Sequence, residues 1–248
     1  MNRQPGAQAV DEVALGERLR QGVVTVFGVA LCLFTVLEMN YPRLQQQSAL
    51  ALFIMMGLVI CFLVNPIHAK LKDWKSFRCL DTIFALAVVV TCGYVVIQLE
   101  PTFKSWWAGG ESLGDRAGSE TRLDILMGAI GLVLVFESTR RAIGWIVPAL
   151  ALVFVAHTYY CHGSIAYEWP EMPDWLLPHS GQNAADIVST TYIQTLGVFG
   201  PAAGVMFKYV FLFVVFGAFL EMSGATQFII DFSERIFGGS PGGPAKVS

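Results

Sequence analysis

Lys208 is the one charge set well inside an apolar run: no other Asp, Glu, Lys or Arg falls between residues 187 and 220. It lies about seven residues into a run that starts at Pro201, roughly 10 Å along a helix axis. A lysine at that depth must snorkel outward, meet a carboxylate or face a wet cavity. Histidine and cysteine are the next candidates for chemistry. His157 and His162 are five residues apart, on different faces of a helix, while His68 and His179 stand alone. The five cysteines (Cys32, Cys61, Cys79, Cys92, Cys161) form no CxxC pair. This spacing predicts no metal centre, no disulfide framework and no cofactor. Glu38, Glu137 and Glu221 fall near the ends of apolar runs, where a carboxylate reaches headgroup water. They read as interface charges rather than proton relays. Asp81 and Asp124 precede apolar runs, which suits helix N-caps. There is no Gly-rich phosphate loop, no HExxH and no GxSxG. A membrane-embedded enzyme would need clustered polar residues at matching depth, so no enzyme is expected.

The composition decides which elements hold these residues. Charged residues are 14% of the 248, hydrophobic ones 54%, and 18 are Phe. Soluble domains average about 25% charge, and one soluble core of this size cannot hide so much apolar surface. The net charge of −3 is small and scattered, so no nucleic-acid partner is indicated. The expected fold is an all-α, polytopic transmembrane helix bundle in contact with lipid.

A span needs about 20 mainly apolar residues to cross roughly 30 Å of hydrocarbon. Six are read: Val23–Met39, Ser48–Val64, Thr82–Leu99, Leu123–Glu137, Ile143–Tyr160 and Ala202–Met222. Apolarity all round each segment favours helices over barrel strands, which would alternate. The fourth is the shortest, because Asp124 and Glu137 bracket it. The polar lead to Gln21 mixes acids with arginines, so the first span reads as a retained helix and not a cleaved signal.

Orientation follows from Lys and Arg. The leading segment (Arg3, Arg18, Arg20), the second connection (Lys70, Lys72, Lys75, Arg78), the fourth (Arg140, Arg141) and the last segment (Arg235, Lys246) hold 11 of the 16 basic residues. These regions alternate with the spans, so both ends are expected in the cytoplasm.

Two outer loops stand out. Residues 100–122 are polar and Gly-rich, with adjacent Trp106 and Trp107 suited to a headgroup region. The stretch from His162 to Pro178 carries Trp169, Trp175, Glu168, Glu171 and Asp174 among Pro and Gly breaks. It reads either as a segment lying on the membrane or as a docking surface for an extracytoplasmic partner. Asn183 is placed to cap a short amphipathic helix from Ala184 to Leu196, closed by Gly197 and Gly200.

The last third carries a family resemblance. It reads Ile-Val-Ser-Thr-Thr-Tyr at 187–192, Gly197-Val-Phe-Gly200 and Tyr209-Val-Phe-Leu-Phe-Val-Val-Phe-Gly-Ala-Phe-Leu-Glu221. Ser223-Gly-Ala225 and Gly242-Gly-Pro-Ala-Lys-Val247 follow. These resemble the start of the large membrane subunit in fused permeases of tripartite ATP-independent periplasmic (TRAP) transporters, in which a four-helix small subunit precedes a twelve-helix large one. The Arg140-Arg-Ala-Ile-Gly-Trp145 run, with Pro148, is similar to the connector there. The resemblance is specific over 137–247 and architectural over 1–136; Lys208 departs from the small or neutral residue the motif carries.

The resemblance implies a cytoplasmic segment (1–22), a small-subunit-like domain (23–137), a connecting helix with an outer segment (138–182) and the start of the large subunit (183–248). It further implies a bacterial inner-membrane permease component. A sodium gradient would drive uptake of an organic acid that a periplasmic receptor, of the TAXI class, delivers. The family's sodium and substrate motifs follow the Gly-Gly-Pro-Ala-Lys-Val segment, so these residues are expected on the scaffold side, partnered by the remainder of the large subunit. Glu168, Glu171 and Asp174 are the expected receptor-docking residues. The rival reading is a membrane anchor or assembly protein without transport of its own.

The charge alternation makes a direct prediction. Reporter fusions after Lys72, Arg141 and Lys246 should read cytoplasmic, and fusions near Gly110 and Gly181 periplasmic. A cytoplasmic signal at Gly181 would mean that the fifth span does not cross.

Overall fold

In the computed structural model, residues 5–66 and 75–237 are described, and no strand occurs among them. His68, Lys70, Lys72 and the Gly242–Val247 motif lie outside the described residues. The helices are α1 (Pro5–Asn40), α2 (Gln46–Val64), α3 (Lys75–Leu99), α4 (Arg122–Ile143), α5 (Ile146–Ala166), α6 (Ala184–Val188), α7 (Pro201–Val205), α8 (Phe211–Met222) and α9 (Ala225–Phe237). The chain divides into two units, Met1–Gly204 and Val205–Ser248.

Five helical runs are long and apolar enough to cross a membrane: Arg18–Asn40, Gln46–Val64, Leu80–Leu99, Ile146–Ala166 and Pro201–Met222. The expected fourth span forms as α4 but falls outside that set, because Asp124, Glu137, Arg140 and Arg141 dilute its apolar content. Its 22 residues still reach about 33 Å. The helix also begins at Arg122 with a full capping box. Thr121 Oγ1 accepts from the Asp124 amide, and Asp124 Oδ2 accepts from the Thr121 amide. Asp124 is therefore the N3 partner of the cap and not the cap itself. Asp81 is not a cap either, since α3 starts six residues earlier at Lys75. The leading segment, expected as a tail through residue 22, is helical from Pro5 onward.

Within the first unit α2 packs on α1, α3 and α4. Leu50, Ala51, Val59 and Phe62 of α2 and Val88, Cys92 and Val95 of α3 are almost fully buried. Val26, Val29 and Leu33 of α1 and Val153 and Phe154 of α5 stay exposed, as lipid-facing positions should.

Small residues let α4 receive the chain that returns after α5. A Cβ on Gly131 would fall inside the Tyr192 ring, and one on Gly128 would meet Val188 at 2.8 Å and Ile193 at 3.0 Å. Tyr192 is 1% exposed and meets Phe199 edge-on, with ring centroids 5.1 Å apart. The expected cap on α6 is present: Asn183 Oδ1 accepts from the Asp186 amide at 2.9 Å. The helix stops sooner than its apolar spacing predicts, however. After α6 the backbone widens to a π turn over Ser189–Ile193, closed by Gln194 N–H to the Ser189 carbonyl. Val198 N–H then bonds the Thr191 carbonyl at 2.7 Å, folding the Gly197 turn back onto the helix and leaving Leu196 exposed.

In the second unit a π turn over Met206–Val210 contains Lys208 and leads into α8. Helix α9, absent from the sequence expectation, is amphipathic, with Phe228, Phe232 and Ile236 against Asp231, Glu234 and Arg235. The Phe228 and Phe232 rings stack at 6.0 Å, one helical turn apart.

The Gly131 contact is directly testable. Gly131→Val should lower stability by about 2 kcal/mol through overpacking. Gly57→Ala, where a Cβ meets nothing within 4 Å, should be neutral or slightly stabilising. Thermal unfolding in detergent reads both, and equal midpoints would show that Tyr192 does not seat against α4.

Candidate functional site

The segment between α5 and α6, a strap in shape, is ordered by contacts to α5, and these begin with its backbone. Glu168 (φ 54°) and Leu177 (φ 52°) adopt left-handed conformations that cost a non-glycine residue about 1 kcal/mol each. Hydrogen bonds offset this. Tyr160 Oη–H donates to the Pro170 carbonyl at 3.0 Å, and Gln182 N–H to the Thr158 carbonyl at 3.3 Å. Trp169 packs over Gly163, where a Cβ would overlap its ring, and lies 5.6 Å from the Tyr160 ring. Gly181 (φ 66°) presses against the His162 backbone, so a side chain is excluded there twice over.

The three expected docking acids lie on this ordered strap. Glu168, Glu171 and Asp174 are all exposed, and none makes an ion pair among the described residues. Trp175 is 78% exposed beside Asp174. The segment therefore presents unneutralised carboxylates and an indole on a fixed backbone. On the same strap, His157 and Cys161 share one face of α5, four residues apart. His179 brings its ring to 5.3 Å from that of His157. Sequence spacing left His179 isolated because only the fold of the connection returns it to α5.

The loop over 100–121 is held by one buried arginine. Arg116, 3% exposed, bonds Asp124 at 3.0 Å, Gln98 Oε1 at 3.2 Å, the Glu111 carbonyl at 3.0 Å and the Ala108 carbonyl. Tyr94 Oη–H donates to Asp124 at 2.5 Å. Glu120 carries the loop across to the α6 end of the strap, accepting from the Ser189 hydroxyl and from Gln194 Nε2 at 3.4 Å. Burial pushes the Glu120 carboxyl upward, but hydrogen bonds from Ser189, the Gly118 and Glu120 amides and Gln194 outweigh it. They hold the group below its usual 4.5.

At the opposite end of the helices, Arg141 bonds Asp81 at 2.6 Å, Glu137 at 2.8 Å and the Asn65 carbonyl at 3.2 Å. Glu137 also pairs with Arg140, whose guanidinium lies 5.3 Å from the Trp145 ring. Glu137 is thus a structural charge as well as an interface one. Lys208 is half-buried in its π turn and makes no ion pair among the described residues.

An all-helical chain with five helical runs long and apolar enough to cross a membrane, and with Lys208 the one charge deep inside such a run, supports a multi-pass membrane protein. Residues 130–248, just under half of the chain, match the family model "Tripartite ATP-independent periplasmic transporter, DctM component". The match starts inside α4 and takes in α5, the strap and all that follows. It supports a permease component of such a transporter, a transport family and not an enzyme family. No curated protein and no solved structure matches the chain.

The depressed Glu120 carboxyl makes a pH prediction. A group lowered in the native state adds stability that is fully present above its unfolded value and is lost as pH falls through its native value. The native chain should therefore outlast Glu120→Gln in thermal unfolding at neutral pH, and the gap should close below about pH 4. A gap that persists into acid would show that the charge is not what holds the Ser189 contact.

Proposed function

We propose that these residues form the scaffold side of a TRAP permease in the bacterial inner membrane. In this reading a sodium gradient drives uptake of an organic acid that a periplasmic receptor of the TAXI class delivers. The observation that carries it is the DctM match over 130–248, which begins within a helix already packed into the preceding bundle. The division proposed from the sequence puts a small-subunit part at 23–137, the connector at 138–182 and the start of the large subunit at 183–248, while the DctM match itself already begins at residue 130.

The charges support a scaffold role. Arg116–Asp124 and Arg141–Asp81 are buried pairs that tie helices together; Asp81 also lines a cavity with Arg20 and Val59, but α1, α2 and α3 around it run unbroken, unlike the broken helices that ion-coupled transport uses. The strap is the part suited to meet a receptor. Its acids are exposed and unpaired, so they act through long-range fields that speed encounter and fade with salt.

In liposomes with a sodium gradient and receptor-bound organic acid, this chain alone should show no uptake. Sustained sodium-dependent uptake would overturn the scaffold assignment. In the complete permease, Glu168→Ser, Glu171→Ser and Asp174→Ser together should cut receptor-dependent uptake severalfold at low salt, with less loss at high salt. The amount of detergent-stable protein should hold. Normal uptake by the triple variant at low salt would leave the strap as a connector only.

A further inference from the structure

We propose that His157, Cys161 and His179 form a binding site for one thiophilic d10 cation, Zn²⁺ or Cu⁺, that fastens the strap to α5. One ligand atom from each of the three side chains lies within 4.8 Å of the other two. Bonds of about 2.0–2.3 Å to such an ion put neighbouring ligand atoms roughly 3.5 Å apart. Cys161 Sγ and His157 Nε2, on one face of a rigid helix, are already 3.9 Å apart. The remaining closure falls to His179, whose ring is exposed.

The surroundings are those of a built site. Cys161 is 1% exposed, so its sulfur is shielded from solvent and oxidants, and no second cysteine lies beside it among the described residues. His179 Nδ1 accepts the Gly181 amide at 2.9 Å, which orients that ring and leaves its Nε2 for the cation. His157 Nε2–H donates to the Leu176 carbonyl at 2.9 Å, and a cation on that nitrogen displaces this bond, the imidazole proton moving to Nδ1. The Met172 thioether sits 4.0 Å from Cys161 Sγ and supplies a fourth, softer donor. Two imidazoles and a thiolate suit Zn²⁺, and an added thioether favours Cu⁺. On binding, the Cys161 thiol releases its proton to solvent as the sulfur–metal bond forms.

The site stands on geometry alone and does not depend on the transport reading. Its position gives it a role, because the ligands join α5 to the strap at both ends of the loop that bears Glu171 and Asp174.

The test uses the full chain purified metal-free in detergent. Zn²⁺, Cu⁺ under reducing anaerobic conditions, and Co²⁺ as a spectroscopic stand-in for zinc are titrated separately. One ion per chain should bind, with thiolate-to-cobalt charge-transfer absorption and a raised thermal midpoint. Cys161→Ser should abolish the absorption. His179→Ala, an exposed loop change that leaves the fold intact, should weaken binding at least tenfold. Loss of affinity in Met172→Leu for Cu⁺ but not for Zn²⁺ assigns the site to copper, and unchanged Cu⁺ affinity assigns it to zinc. Failure of both ions to bind at one per chain would overturn the proposal. So would binding that survives both Cys161→Ser and His179→Ala unchanged.

Discussion

The first unit is organised around a single guanidinium. Arg141, its side chain 1% exposed, lies against both the Phe62 and Phe84 rings at 4.8 and 5.1 Å while bonding carboxylates on α3 and α4 and the carbonyl that ends α2. A charge at that burial is tolerable only with its hydrogen bonds filled, and one nitrogen, Nη2, still lacks a partner among the described residues. Three helices must therefore end at matching depth for Arg141 to be satisfied. The register of the bundle follows from that requirement more than from its apolar faces, which would pack comparably after sliding by a turn.

The same rule operates at the other end of these helices with different parts. Arg116 draws a loop of more than twenty residues down onto Gln98 and Asp124, and Glu120 extends the network to Ser189. The connections at that end thereby become one linked surface: the loop before α4 touches the π turn after α6, and the strap between α5 and α6 is pinned to α5. Glycine completes the arrangement. With side chains at 128 and 131 the Tyr192 ring could not lie against α4, and the Glu120–Ser189 bond would be pulled apart with it.

Composition and periodicity made the helices legible because lipid imposes a length and an apolarity that few other constraints imitate. Asn183 was equally readable, since its cap is completed within four residues. What escaped was set by distance along the chain. Asp81 and Asp124 look like caps when only neighbours are considered. Their partners are Arg141, 60 residues away, and, for Asp124, Tyr94 at 30. The early end of α6 escaped because the Gly197 turn folds back on Thr191, a tertiary event that helical spacing does not encode. His179 and Cys161 read as unrelated for the same reason, the strap's reversal being written in backbone geometry at Glu168, Leu177 and Gly181.

The polar content of α4 bears on how the protein is made. Its neighbours are apolar enough to leave the insertion machinery singly, but a segment opening with Asp124 and closing with Glu137, Arg140 and Arg141 partitions poorly by itself. Arg116 pairs with its first acid, Tyr94 hydrogen-bonds the same carboxylate and Asp81 meets its last arginine, and all three precede it in the chain. A crossing α4 is therefore best served by entering together with α3, as a hairpin. If the hairpin failed, α5 and everything after it would be laid down facing the opposite compartment.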